Sequence, residues 1–146
     1  MKRLYVAIPI LHWFVGVGAL AGGLAAVLNP GSPMGMSTDS LKTGPFTNFL
    51  IPGLFLMIVI GLFNIIEGFL VVKKVKYHEV ISGGLGALLI GWIVIQCIIL
   101  WTINPLHVIY FIIGSIQGVL ALVLIYKNKA FPMNLIESVL GKKGKI

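Results

Sequence analysis

A chain of 146 residues that is 58% hydrophobic and 10% charged, with a mean hydropathy of +1.05, has too little charge to cover a water-facing surface. That excludes an ordinary soluble domain, and the length suits one compact unit. The net charge of +7 points to anionic lipid headgroups rather than nucleic acid, because the basic residues only edge the apolar stretches.

Lys2 and Arg3 precede the first apolar stretch, about residues 4–28. Ala19-Leu20-Ala21 within it resembles a signal-peptide cleavage site. The stretch has the length of a membrane span, however, and an uncleaved span is expected. Asn29-Pro30-Gly31 stops it and opens an outer loop over 29–45, rich in Gly, Pro, Ser and Thr. A second span is expected over 46–72, with Pro52-Gly53 marking a kink near its start. Lys73, Lys74 and Lys76 follow in a short turn, then a third span over 79–102. The brief Ile103-Asn104-Pro105 connection forces a fourth span, 106–126, to run antiparallel beside it. In the tail, 127–146, Pro132 is placed to open a helix and Gly141 to end it. Leu135, Ile136, Val139 and Leu140 lie between them at helical spacing, before Lys142, Lys143 and Lys145. This segment is either a short helix lying on the inner leaflet or a frayed terminus.

The expected architecture is therefore all-α, an antiparallel four-helix transmembrane bundle with a short C-terminal interfacial helix. Ten of the eleven Lys and Arg residues fall on one side of the membrane and only Lys42 on the other. Basic residues near span ends stay inside, so a multi-pass protein of the cell membrane with both termini cytoplasmic is expected. Tyr5, Tyr77 and Tyr126 at one level and Trp101 and Tyr110 at the other fit aromatic belts. Each span offers small residues for close packing: Gly18, Gly22 and Ala26; Gly61 and Gly68; Gly83, Ala87 and Gly91; Gly114 and Gly118. They serve either packing within one bundle or a homodimer seam.

Ionisable groups inside spans are expensive and need a reason. His12, Asn64 and Glu67 fall at similar depth and form a candidate inner polar cluster. Such a cluster can exchange a proton, bind a lipid headgroup or quinone carbonyl, or simply pin helices together, with Glu67 reaching for Lys73 or Lys74. Gln96 is one turn from Trp92 near the outer end, and Gln117 lies near the middle of the fourth span. These three either bond neighbouring helices or wall a candidate outer pocket. His78, Glu79 and His107 fall at the interfaces, where solvation accounts for them. One His and one Glu are too few ligands for a metal site, and the single Cys97 allows no intrachain disulfide.

The segment 29–54, NPGSPMGMSTDSLKTGPFTNFLIPGL, is the most distinctive, with Pro45-Phe46 and Pro52-Gly53-Leu54 around the start of the second span. In this pattern the chain resembles small prokaryotic four-span membrane proteins, and its overall plan is similar to the DoxX-like helical bundles. The resemblance covers the layout of most of the chain, and specific residues only over 35–54. DoxX-like members include subunits of quinone-linked membrane oxidoreductases, so the resemblance implies a quinone or lipid pocket. It transfers no catalytic residue.

Three functions are then open. The first is a non-enzymatic lipid- or quinone-binding protein, or an accessory subunit of a membrane complex. The second is an intramembrane enzyme using His12 and Glu67 as acid and base on a lipid or isoprenoid. The third is a small transporter, which with four spans would need a dimer.

Overall fold

The computed structural model describes residues 1–143. Those residues are predominantly helical, with no strand among them. Four long helices, α1 (Leu4–Leu28), α2 (Leu50–Val72), α3 (His78–Leu100) and α4 (Pro105–Asn128), form an antiparallel bundle, followed by a short α5 (Met133–Lys143). The shortest of the four has 23 residues. At 1.5 Å per residue that is about 35 Å, enough for a hydrocarbon core of roughly 30 Å.

The second span begins later than expected. Residues 46–49 belong to the loop, where the Phe49 N–H donates to the Pro30 carbonyl at 3.0 Å and Asn48 Oδ1 accepts from the Leu50 N–H at 3.0 Å. Pro52 is then the third residue of α2, where its missing N–H would have had no helical partner anyway. The irregularity of this helix lies further on, in a π-helical stretch over Leu56–Leu62. α3 ends at Leu100 rather than 102 because Trp101 turns into the left-handed region, with φ 50°. α5 continues past Gly141 to Lys143, so that glycine does not end it; Lys145 lies outside the described residues.

Asn128, at the end of α4, donates to Tyr5 Oη at 2.7 Å and to Glu79 Oε1 at 2.8 Å. That places the starts of α1 and α3 beside the end of α4, at what is called here the terminal end. At the opposite, loop end, the segment after α1 folds onto α3. The Lys42 and Thr43 N–H groups donate to the Ile99 carbonyl at 2.9 and 3.2 Å, and Thr43 Oγ1 donates to the Ile98 carbonyl at 2.7 Å.

The bundle is two tight hairpins joined more loosely. Within α1–α2, a Cβ at Gly23 would meet Met57 at 2.6 Å, one at Gly53 would meet Ala26 at 2.5 Å, and one at Gly61 would meet Leu20 at 3.0 Å. Within α3–α4, a Cβ at Gly86 would meet the Gly114 carbonyl oxygen at 2.8 Å. The seams are partly those expected. Gly61, Gly68 and Gly114 lie in them, but Gly91 has open space around it and Ala87 is exposed.

Along the axis the interior alternates. Ile8, Val71 and Leu124 form an apolar layer near the terminal end, and Val15, Ala19, Ile60, Leu89, Trp92 and Ile93 form a larger one towards the loop end. Fully buried polar residues, His12, Asn64, Glu67, Ser82 and Gln117, come from all four helices. On α1, Ile8, His12, Val15 and Ala19 follow each other at three- and four-residue steps, so one inward stripe carries both kinds of layer.

Candidate functional site

The polar group starts from Asn64, two residues beyond the π-helical stretch. Its Nδ2 donates to the Ile60 carbonyl at 2.8 Å, which fixes the amide orientation and turns Oδ1 towards α1. Oδ1 lies 2.6 Å from His12 Nδ1 and accepts from Gln117 Nε2 at 3.2 Å. An amide oxygen only accepts, so the proton of neutral His12 sits on Nδ1 and the Nε2 lone pair is left over. His12 Nε2 and Gln117 Oε1 have no partner among the described residues.

Glu67 points elsewhere. Its Oε1 accepts from the Ser82 hydroxyl on α3 at 2.6 Å, and Oε2 has no partner among the described residues. It is fully buried, so it does not reach out to Lys73 or Lys74. Of the inner trio, His12 and Asn64 are hydrogen-bonded to each other, and Glu67 bonds a residue outside the trio. Gln117, grouped with Trp92 and Gln96 on the sequence, instead donates to Asn64 Oδ1, with its Nε2 3.1 Å from His12 Nδ1. The signal for this was available: Gln117 is nine residues before Tyr126 and His12 nine after Arg3, hence at equal depth. Ser82, beside Gly83 and Gly84, carries neither charge nor amide to single it out on the sequence.

Trp92 and Gln96 line a cavity of about 440 Å³ at the loop end. All four long helices and the loop residues Pro33, Met34 and Met36 contribute to it. Gly18, Gly22 and Ala26, expected as a packing ridge, also line the cavity, while Gly18 packs against Tyr110 and Ala26 against Gly53. The small side chains of that face leave room that a larger residue would fill. Trp92 is 6% exposed, packs against Phe55 with ring centroids 4.5 Å apart, and its Nε1–H has no partner among the described residues.

His107 is another lining residue. Expected at a solvated interface, it is buried, and so are His78 and Glu79. His107 belongs to a reciprocal cap: Asn104 bonds the His107 N–H with its side chain, and the Asn104 N–H donates to His107 Nδ1 at 3.1 Å. Nδ1 therefore accepts, and the neutral ring carries its proton on Nε2. His78 is covered edge-on by Tyr5, at 5.6 Å between centroids. Among the described residues no group of three His, Cys, Asp or Glu comes together to hold a metal ion.

Outside these sites the pattern of a soluble protein is inverted. Val6, Ile10, Phe14 and Val17 make an exposed apolar stripe along α1 while charge-capable and amide groups lie inside. An apolar exterior on four helices, with backbone bonds satisfied within each, is what a bilayer demands. The chain is a polytopic membrane protein of four helical spans. Compared with protein families, with curated proteins and with solved structures, it finds no match.

Proposed function

We propose that the loop-end cavity binds an apolar chain whose head carries a carbonyl acceptor, either a membrane quinone or an ester lipid. The observation that carries this is the buried, unpartnered Trp92 N–H on the wall of a mainly apolar cavity. A buried donor left without a partner costs about 1–3 kcal/mol, which a carbonyl oxygen from a ligand would remove. The volume of about 440 Å³ lies in the range of small-molecule sites, roughly 300–1,000 Å³. Its size suits a quinone ring or the ester end of one acyl chain. The resemblance to DoxX-like bundles favours the quinone. Such a binder works alone or as an accessory subunit presenting its ligand to a neighbour.

The ten-to-one asymmetry of Lys and Arg supports an orientation in the cell membrane with this cavity towards the outside and both termini cytoplasmic. Binding is favoured over acid–base catalysis by His12 and Glu67, because the two side chains are committed to different partners.

The test is native mass spectrometry of protein extracted with its lipids, followed by titration with a short-chain quinone and, separately, a short-chain diacyl lipid. Gly22→Leu fills the cavity at a position where a Cβ makes only ordinary contact, 3.4 Å from Leu56. Co-purification of one ligand class with wild type, and its loss in Gly22→Leu and Trp92→Phe, is the expected result. A wild type that carries and binds neither class, or a ligand unaffected by both substitutions, overturns the reading.

A further inference from the structure

A second cavity, of about 530 Å³, lies at the terminal end between the 73–77 turn and the start of α5. Its wall includes Tyr5, Lys74, Lys76, His78, Glu79 and Asn128. Both lysines are held in place against rings: Lys74 Nζ is 4.7 Å from the Tyr5 centroid and Lys76 Nζ 4.8 Å from that of Tyr77. Neither makes an ion pair among the described residues, whereas neighbouring Lys129 is committed to Glu137 at 3.1 Å.

His78 supplies the buried component. It is 3% exposed, its Nε2 lies 3.4 Å from Glu79 Oε1, and its Nδ1 has no partner among the described residues. With Nε2 facing the carboxylate, Nδ1 is the ring position left for a ligand. His78 is also the first residue of α3, so the positive end of a 23-residue helix faces this region. Glu79 brings the opposite sign, but its Oε1 already accepts from Asn128 and faces His78.

We infer that this cavity binds a phosphate group, carried by the headgroup of an anionic lipid. Two ammonium groups and a helix N-terminus are donors to such a group, and His78 joins them when its Nδ1 takes up a proton from water on binding, the ring then standing as an imidazolium between the phosphate and Glu79. The lipid source follows from position. The cavity sits at the ends of four spans, and α5, whose Asn134 and Leu135 wall it, exposes Leu135, Ile136, Val139 and Leu140 for the acyl boundary. The inference is independent of the loop-end ligand.

The test uses purified full-length protein in a neutral detergent at about 0.15 M salt, where charges more than roughly 8 Å apart are largely screened. Short-chain phosphatidylglycerol is titrated, with short-chain phosphatidylcholine and inorganic phosphate as separate arms. The expected result is saturable phosphatidylglycerol binding that Lys74→Ala/Lys76→Ala weakens by about tenfold or more. Lys73→Ala/Lys127→Ala removes the same charge from residues that do not line the cavity and changes binding less than about twofold. Equal losses in the two double variants reduce the effect to surface charge and overturn the site. The side-chain ¹⁵N resonance of His78 in wild type, followed in each arm, needs no variant to fold. It shifts with phosphatidylglycerol if the site is real and stays still if it is not. An equal shift with inorganic phosphate at the same concentration overturns the lipid assignment.

Discussion

Asn64 Oδ1 lies 2.6 Å from His12 Nδ1, across the seam of the α1–α2 hairpin. The same oxygen accepts from Gln117 on α4 at 3.2 Å, so one amide joins the two hairpins. The glycine seams act within each hairpin, and polar bonds act between them: Gln117 to Asn64, Ser82 to Glu67, and Asn128 to Tyr5. Lipid tails are as apolar as Leu, so burial cannot drive the hairpins together, and directional bonds can.

Removing Asn64 should therefore cost more than removing Gln117. Asn64→Ala strips a shared acceptor from two partners, and Gln117→Ala strips only one of its donors. Intramembrane side-chain bonds average about 0.6 kcal/mol and reach roughly 1.7, so a difference of about 1 kcal/mol is expected in favour of Gln117→Ala. Unfolding in mixed micelles measures it, and a double-mutant cycle should return a non-zero coupling between the two. Strict additivity would rule out the shared acceptor.

Glu67→Gln should be better tolerated than Ser82→Ala. The glutamine keeps an oxygen that accepts from the Ser82 hydroxyl, whereas Ser82→Ala leaves Glu67 without its hydrogen bond, at about 1–3 kcal/mol. Thermal melts of the two variants in one detergent decide this. A Glu67→Gln protein that is the less stable of the two contradicts it.

The glycines divide sharply by position. A Cβ at Gly86 overlaps the Gly114 carbonyl oxygen at 2.8 Å and the Gly118 nitrogen at 2.9 Å, both backbone atoms that cannot turn aside. Gly86→Leu should split the α3–α4 hairpin and prevent recovery of folded protein. At Gly91 nothing lies within 4 Å. Gly91→Ala should be neutral or stabilising by up to about 1 kcal/mol, from helix propensity alone. Comparable losses at the two positions would count against the packing described.

The orientation has a direct test in single cysteines on a Cys97→Ala background. Lys42→Cys should react with an impermeant maleimide added outside intact cells, and Lys74→Cys only after the membrane is opened. The reverse pattern inverts the topology.

The loop between α1 and α2 offers a fifth test. Thr43→Val loses the 2.7 Å bond to the Ile98 carbonyl, leaving the two backbone bonds to Ile99. Amide exchange over residues 37–45 should quicken several-fold, for a loss of about 1 kcal/mol, with exchange in α1 unchanged.

Much of the fold was legible in the chain, because a span is a local property. Residues 4–28 read as one helix from length and apolarity alone, and α1 has those bounds. The start of α2 was not legible. Phe46 and Phe49 are as apolar as the helix they precede and only Thr47 and Asn48 interrupt the run, but a long-range bond from the Phe49 N–H to the Pro30 carbonyl keeps the segment in the loop. His107 read as a solvated interface residue because reciprocal capping with Asn104 depends on the turn closing, and composition does not report that.

By itself the sequence determined that the chain is a four-span helical membrane protein, and which of its side chains are too polar to lie in lipid without a partner. Length, apolarity and charge decide this, and all three are properties of contiguous segments. Only the tertiary structure decided how the polar side chains pair. It put Gln117 with His12 and Asn64, and Glu67 with Ser82. It also left Trp92 beside a cavity whose wall includes Gly18, Gly22 and Ala26. Depth follows from counting residues, but the direction a side chain faces depends on how each helix is rotated. That rotation is set by contacts between glycines and backbones far apart in the chain.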